Sequence, residues 1–502
     1  MNISEKLALC AEKNPNKVIT TYNNRETTYA EFYKQAKNLA GYFQAKGYQK
    51  EDLIAVYLPN TDYFLVCYYA CQIGGFTILP VNTKLTAAEI DYIFTHSEAK
   101  ALIYDERYKP VVDELEETTS KMNDLIIVGK DEHSLADILR GPALSVQKND
   151  NQGEETAVVF YTSGTTGKPK GVMLSAANIE ASTNIWMEAM DITSEDRMHI
   201  VAPLFHCAAS NVFSLPVIYA GGTIIIEEGF SPDQALQTME KEKVTIFFGV
   251  PAMYSILLNT PKMSTLDLSH LRLFTYGAAP MPYELVRKVK ALFPAIKVQN
   301  LYGQTENSPA ASTLKDHYAL SKVGSVGEAL PQTEIRVVDE MGEPVPVGEV
   351  GEIIVKGPQV MKGYLKNEEA TNATIKDGWL YSGDLGRLDK DGLLYIVDRK
   401  KDMIIRGGEN VYPVEVEEVL YEIPELLEAA VVGVPDEVLG EVPKAFVVLK
   451  EGVDLEEEEI LHFCKKRLAP YKLPKEIERI ESLPRNASGK VLKTNLRAHY
   501  RF

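Results

Sequence analysis

The chain is short of cysteine, of positive charge and of uninterrupted apolar runs, and each shortage excludes something. Its five cysteines, Cys10, Cys67, Cys71, Cys207 and Cys464, form no CxxC pair and no disulfide framework, which suits a reducing, cytoplasmic setting. The eight histidines are scattered, and none stands at zinc-type spacing from a cysteine. Lys and Arg number 53 against 71 Asp and Glu, a net charge of −18. So acidic a chain is not expected to hold nucleic acid by a broad basic surface. It can still cradle the phosphates of a nucleotide with backbone N–H groups and a few lysines. Met1 to Lys6 carry charges and no apolar h-region, so no secretory signal is expected. The uncharged stretch Tyr63–Thr83 is as long as a membrane span, but Gly74, Gly75 and Pro80 interrupt it. A buried helix followed by a strand is expected there instead of a transmembrane segment.

What is present reads as an ordinary globular composition, 45% hydrophobic and 25% charged, in 502 residues, too many for one compact domain. Thr28-Tyr29-Ala30-Glu31 is a capping box that opens a helix carrying Phe32, Ala36, Leu39 and Phe43 at helical spacing and ending by Gly47. A strand is expected over 52–58. A second box, Thr86-Ala87-Ala88-Glu89, opens another helix, and Ala101 to Tyr104 reads as the next strand. This alternation predicts an α/β fold with a mostly parallel sheet. From about Val323 short apolar runs, such as Ile335 to Val338 and Ile353 to Val355, are separated by Gly and Pro, the texture of a β-rich subdomain. Asp398-Arg399-Lys400-Lys401-Asp402 is a charged cluster suited to a linker. The residues after it read as a small α+β domain. Its acidic run Glu456–Glu459 is expected to fill the first turn of a helix capped by Asp454, with Lys465, Lys466 and Arg467 in the last turn. The expected division is 1–401, a large domain of mostly parallel sheets flanked by helices with a β-rich part at about 323–401, and 402–502.

The strongest chemical signal is Tyr161-Thr162-Ser163-Gly164-Thr165-Thr166-Gly167-Lys168-Pro169-Lys170-Gly171. A strand delivers the chain into a loop whose glycines let backbone N–H groups converge on a phosphate. Its hydroxyls add donors, and Lys168 and Lys170 add charge. A plain turn between strands would not need such a run. It is not a Walker A loop: two residues, not four, separate Gly164 from Gly167, and Pro169 stands where Ser or Thr should follow the lysine.

The loop resembles the signature of the adenylate-forming superfamily: acyl- and aryl-CoA synthetases, peptide-synthetase adenylation domains and firefly-type luciferases. Similar motifs recur in the family's order: Tyr276-Gly277-Ala278-Ala279-Pro280, Tyr302-Gly303-Gln304-Thr305-Glu306, Tyr381-Ser382-Gly383-Asp384, Asp398 to Asp402, Gly407-Gly408-Glu409-Asn410 and Asn486-Ala487-Ser488-Gly489-Lys490. They span most of the chain. Val323, where relatives often have proline, is a departure that touches nothing catalytic. The resemblance implies ATP, Mg2+ and coenzyme A as co-substrates and cofactor, with a small-molecule carboxylic acid converted to an acyl-adenylate and then a thioester. It implies that Glu306 helps hold the metal, Thr305 touches the α-phosphate, Tyr302 stacks near the adenine, and Asp384 and Arg399 bind the ribose. Lys490 is implied as the lysine that stabilises charge during adenylation. A hinge at Lys401 and Asp402 is implied to swing the small domain, bringing Gly407, Gly408 and Glu409 to the pantetheine tunnel. His206, in Pro203-Leu204-Phe205-His206, is either a gate of the acyl pocket or a satisfied core histidine.

From Val201 to Ile226 there is no Asp, Glu, Lys or Arg. The resemblance implies that an α-amino acid would be held by an aspartate in this region, as in peptide-synthetase adenylation domains, and none is there; nor is there a cation to pair a second carboxylate, so an apolar acid is expected. Small residues at Gly277, Ala278, Ala279, Gly303, Ser308, Ala310 and Ala311 would leave room for a bulky or long acyl group. That favours a medium- or long-chain fatty acid, with an aryl or arylalkenoic acid second. Because the chain ends 12 residues after Lys490, no carrier domain is expected to be fused. Coenzyme A is the expected acceptor, and a separate carrier protein is the alternative. A non-enzymatic nucleotide or acyl sensor would be expected to lack Lys490, Glu306 or the phosphate loop, and all are present. A homodimer is left open.

Overall fold

The computed structural model describes residues 1–129, 134–142, 146–147, 153–162, 168–278, 281–407, 409–485 and 491–498. The chain divides into two compact units, Met1–Ile335 with Val355–Tyr381, and Arg336–Ile354 with Ser382–Phe502.

The first unit begins with the helix Ile3–Lys13, and a hairpin of β1 (Val18–Tyr22) and β2 (Arg25–Thr28) follows it. The capping box follows at once. Glu31 accepts a hydrogen bond from the Thr28 N–H at 2.9 Å, and Thr28 Oγ1 accepts from the Glu31 N–H. The helix Tyr29–Ala45 grows from it and buries Phe32, Ala36, Leu39 and Phe43, each of the three larger side chains being worth roughly 1.5–3 kcal/mol. It stops before Gly47, whose φ of +87° only glycine adopts cheaply. β3 (Leu53–Tyr57) comes next, then the uncharged stretch. That stretch forms the helix Asp62–Gly74, nearly all of it buried, and β4 (Thr77–Pro80), as expected from the glycines between them. No helix among the described residues is long and apolar enough to cross a membrane. The second capping box starts the helix Ala87–Ser97. β5 (Ala101–Asp105), β6 (Asp124–Val128), β7 (Thr156–Thr162) and β8 (Lys170–Ser175) complete a sheet ordered Gly363–Tyr364, β8, β7, β4, β3, β5, β6. Its β7, β4, β3, β5 and β6 are parallel.

A second sheet contains β9 (Arg197–Ile200), β10 (Thr223–Ile226), β11 (Ile246–Gly249), β12 (Leu273–Gly277), β13 (Lys297–Tyr302), β14 (Ser312–Leu314) and β15 (Ser325–Ala329). Within this unit its order is β2, β1, β10, β9, β11, β12, β13, β14, β15. From β1 to β13 all neighbours are parallel. Consecutive strands therefore leave β9 in opposite directions, β10 to one side and β11 to the other. In an open parallel sheet the crevice at the carboxyl ends of such a reversal is where ligands bind.

The second unit is α+β. Strands Leu426–Asp436 and Gly440–Leu449 form its long hairpin, with Glu476–Arg479 parallel to the latter. Helices Pro413–Tyr421 and Glu457–Lys465 bury Val416, Leu420, Ile460 and Cys464 on one face of this sheet. The acidic run does fill a first turn, but Asp454 is not its cap. Arg479 draws the Asp454 carboxylate to 2.9 Å, and Glu456 takes the cap position, its N–H donating to Glu459 at 3.1 Å.

Candidate active site

Parallel strands send their following loops to one edge. At the carboxyl edge of the second sheet, β9 is followed by the His206 segment, β11 by Val250, β12 by Ala278 and β13 by Gly303 to Glu306. Three of the segments singled out in the sequence thus meet the same edge, at and beside the β9/β11 reversal.

The β13 end is built tightly. Tyr302 is the last, buried residue of the strand. A Cβ on Gly303 would lie 2.3 Å from the Pro309 backbone, so only glycine permits this turn. Gln304 opens a 3-10 turn over Thr305–Asn307, its N–H donating to the Asn307 side chain at 2.8 Å. Ser308 closes it in the left-handed region with φ 54°. The turn projects two groups. The Thr305 hydroxyl lies 3.2 Å from Cys207 Sγ, in the segment after β9. Glu306 Oε1 accepts a hydrogen bond from Tyr364 at 3.0 Å, and the Glu306 carbonyl accepts from the Met361 N–H. Lys170, beyond the phosphate loop, sets its ammonium 4.7 Å from the centre of the Tyr364 ring, a cation–π contact. Tyr364 therefore links the far end of that loop to Glu306. Burial and the Glu306 charge push its hydroxyl above the ordinary tyrosine range, so it stays a donor.

Gly277 ends β12, and a Cβ there would meet the Leu301 carbonyl of β13 at 2.6 Å. Its glycine is thus required by sheet packing as well as by the motif. Ala278 is exposed with φ 66°, a strained conformation for a residue with a side chain. Thr162 ends β7 half-buried, and the exposed Lys168 holds its ammonium 5.4 Å from the centre of the Tyr92 ring. Ser163, Gly164, Thr165, Thr166, Gly167, Ala279 and Pro280 lie outside the described residues.

After β9 the chain turns through Pro203 to His206 and enters a π-helix, Ala208–Ser214, a form concentrated at functional sites. Within the charge-free Val201–Ile226, only Ala202, Pro203, His206, Cys207, Ala208 and Ala220 are not fully buried. Nε2 of His206 is buried without a hydrogen-bond partner among the described residues. Burial, with Lys84 adding, holds its pKa down to about 4, and the ring is neutral at ordinary pH. Burial pushes the Cys207 thiol up to about 12, with the Thr305 bond opposing and the Glu306 charge adding. It is a thiol, not a competing nucleophile. Ser308, Ala310 and Ala311 are fully buried, and Gln359 bonds to the Ala310 carbonyl and takes the Ser308 hydroxyl bond. Their smallness is consumed by packing.

In the second unit Asp384 and Arg399 face each other on adjacent strands. They form an ion pair with Nε 2.6 Å from Oδ1, and Asp384 is buried. Asp402 pairs with Arg497 at 3.0 Å, and Lys401 is exposed. Gly407 has φ +59° and donates its N–H to the Leu439 carbonyl, and Glu409 is exposed. Gly408 and Lys490 lie outside the described residues. Sequence motifs missed Tyr364 and Cys207. Cys207 could have been suspected from its place beside His206, whereas nothing local marks Tyr364.

No group of three His, Cys, Asp or Glu that could hold a metal exists among the described residues. A lone Glu306 fits Mg2+, which keeps several waters and binds through one or two carboxylates plus substrate phosphates. A cleft of about 300 Å³ lined by Tyr22, Arg25, Tyr63 and Asp105 contains none of the motif residues.

Known proteins match nearly the whole length of the chain. The model of the AMP-binding enzyme family matches residues 7–365, and that of the AMP-binding enzyme C-terminal domain matches residues 415–490. A feruloyl-CoA synthase of an Amycolatopsis species is 38% identical over 498 residues, 98% of this chain and 97% of that protein. The long-chain-fatty-acid–CoA ligase FadD13 of Mycobacterium tuberculosis is 36% identical over 474 residues, 94% of this chain and 93% of that one. The crystal structure of ATP-bound MatB from Rhodopseudomonas palustris superposes with a TM-score of 0.91 at 32% identity, covering 100% of this chain and 99% of the other. The chain belongs to the family of AMP-binding enzymes. Within it, it is an acid–thiol ligase of the acyl- and aryl-CoA ligase kind, working with ATP, Mg2+ and coenzyme A.

Proposed function

We propose that this enzyme activates an apolar monocarboxylic acid as its acyl-adenylate at the carboxyl edge of β9, β11, β12 and β13 and passes the acyl group to the thiol of coenzyme A. The observation that carries this reading is the 3.2 Å contact between Thr305 and Cys207. It sets a candidate phosphate-binding hydroxyl against the segment Val201–Ile226, which contains no Asp, Glu, Lys or Arg.

In the first step a carboxylate oxygen attacks the α-phosphorus, and the bond to the pyrophosphate oxygen breaks. Thr305 is assigned the α-phosphate, and Tyr302, Gly303, Gly277 and Ala278 with Ala279 and Pro280 the adenine side. Thr162 to Lys168 take the outer phosphates, Asp384 and Arg399 the ribose, and Lys490 the developing charge. Glu306, oriented by Tyr364, would hold Mg2+, which neutralises phosphate charge when bound. In the second step the thiol sulfur attacks the acyl carbonyl, AMP leaves, and the thiol proton passes to solvent. Gly407 to Glu409 are assigned to the pantetheine arm, and Lys401 with Asp402 to the hinge between the two steps. A neutral His206 beside the acyl group neither repels nor pairs a charge, in keeping with an apolar acid. Relatives named for an arylalkenoate and for long-chain fatty acids stand at 38% and 36% identity, so kinship alone does not choose between these acids.

The test incubates the purified chain with ATP, Mg2+ and a panel of aliphatic and aryl acids. Acid-dependent pyrophosphate release is expected, then a thioester when coenzyme A is added. Pyrophosphate without a coenzyme A thioester, but with acylation of a phosphopantetheinyl carrier protein, would replace the acceptor.

A further inference from the structure

We propose that Phe248, backed by Phe213, is the residue that selects the acid, and that it selects a flat aryl or arylalkenoic acid over a long alkyl one. The inference rests on the adenylation site assigned above and adds to it the shape of the acid.

β11 alternates its side chains across the sheet. Phe247 points into the cluster of Tyr254 and Phe274 and is fully buried. Phe248 points to the opposite face, against the large core that also carries Cys207 and Ala208 at its margin. β11 is a central strand. It stays paired with β12 as far as Gly249↔Tyr276, but its pairing with β9 runs only through Ile246↔Met198 and Phe247↔His199. The β9/β11 ladder therefore ends one residue short of Phe248, at the reversal of strand order where a parallel sheet opens its ligand crevice. Phe248 is half-buried in a region where its neighbours are fully buried. Phe213 of the π-helix covers one face of its ring, with centroids 4.4 Å apart and planes at 29°, and Phe213 itself is fully buried. Cys207 and Ala208, which follow the carboxyl end of β9, are half-buried as well.

In the site proposed here the acid would lie between these groups. One side would be the small side chains Cys207, whose sulfur is 3.2 Å from the Thr305 hydroxyl, and Ala208. The other would be the Phe248 ring, backed by the buried Phe213. A flat ring conjugated to a carboxylate fits between them and stacks on Phe248. A long alkyl chain needs depth beyond it. Ser308, Ala310 and Ala311, the small residues that could have supplied depth, are fully buried.

The experiment measures kcat/KM for pyrophosphate release with cinnamic, octanoic, decanoic and hexadecanoic acids, in the wild type, Phe248→Ala, Phe248→Leu and Phe248→Trp. The wild type is expected to prefer cinnamic over decanoic acid by at least about 10-fold. Loss of the stacking face in Phe248→Leu should lower cinnamic acid turnover by about 3- to 10-fold. Phe248→Ala should do the same and raise the decanoic acid value, while Phe248→Trp should keep the aryl preference and exclude decanoic acid further. KM for ATP should be unchanged in all three, which a general packing defect would not spare. A wild type that prefers decanoic acid, or a cinnamic-to-decanoic ratio indifferent to all three substitutions, overturns the inference and leaves the adenylation site standing. Failure of every acid to release pyrophosphate overturns the site and the inference together.

Discussion

Tyr364→Phe is the substitution that most directly tests how Glu306 is held. It removes one oxygen and leaves the ring, so packing with Lys170 is kept, while the 3.0 Å hydrogen bond to Glu306 is lost. A hydrogen bond to a charged group is worth about 1.5–3 kcal/mol when nothing replaces it. Glu306 is half-buried, so water can restore part of this, and about 1.4 kcal/mol, a factor of ten, is the reasonable expectation. The loss should fall on metal binding, because the hydroxyl orients the carboxylate without touching a nucleotide. Pyrophosphate exchange titrated with Mg2+ should need about ten times more metal for half-maximal rate, within the range usual for removing a partner of a metal ligand. The maximal rate at saturating Mg2+ should fall much less. Thermal stabilisation by ATP with Mg2+ should weaken in parallel, a readout that needs no turnover. Glu306→Gln, which removes the charge itself, should not be rescued by metal. An unchanged Mg2+ requirement in Tyr364→Phe, with exchange intact, would falsify the assignment of Glu306 to the metal.

Lys490→Ala should slow adenylate formation by about two to three orders of magnitude, as loss of one transition-state stabiliser does, yet spare thioester formation from supplied acyl-adenylate. Undiminished ATP–pyrophosphate exchange in that variant removes Lys490 from its role. Because burial holds the His206 pKa down to about 4, the ring does not change charge between pH 5 and 9. The exchange profile should then show no inflection belonging to it, and an inflection near pH 6.5 that disappears in His206→Phe would contradict this. Gly303→Ala must displace the Pro309 backbone, so it should cost more than about ten-fold in exchange and lower the melting temperature by several degrees. Gly229→Ala, where a Cβ meets nothing within 4 Å, should do neither.

Local signals in the sequence were read well where the deciding partner is local. Thr28 with Glu31 and Thr86 with Glu89 close their boxes within one turn, and both helices start where those residues say. The same logic failed at Asp454, because its partner Arg479, which holds the carboxylate at 2.9 Å, is 25 residues away in the sequence. Tyr364 was invisible for that reason: its partner Glu306 is 58 residues distant. The small residues Ser308, Ala310 and Ala311 read as space. Composition cannot distinguish a void from a close approach, and Gln359 fills what their size leaves open. The π-helix after His206 also escaped, since nothing in a run of small and apolar residues separates five-residue from four-residue hydrogen bonding.

The motif glycines carry a related lesson. Gly277 and Gly303 are part of a signature for nucleotide binding, yet each is also demanded by backbone within 2.6 Å of where a side chain would begin. A single residue type satisfies two constraints, so its presence alone does not measure how much of the motif is chemistry. The residues proposed for the chemistry, Thr305 and Glu306, sit one step further into the loop, beyond the end of β13. The residue proposed to choose the acid lies inside β11, where Phe248 is held by the sheet and by Phe213. On that proposal loop and strand divide the work: turns after parallel strands supply the reaction common to the family, and the last strand residues before them set what enters.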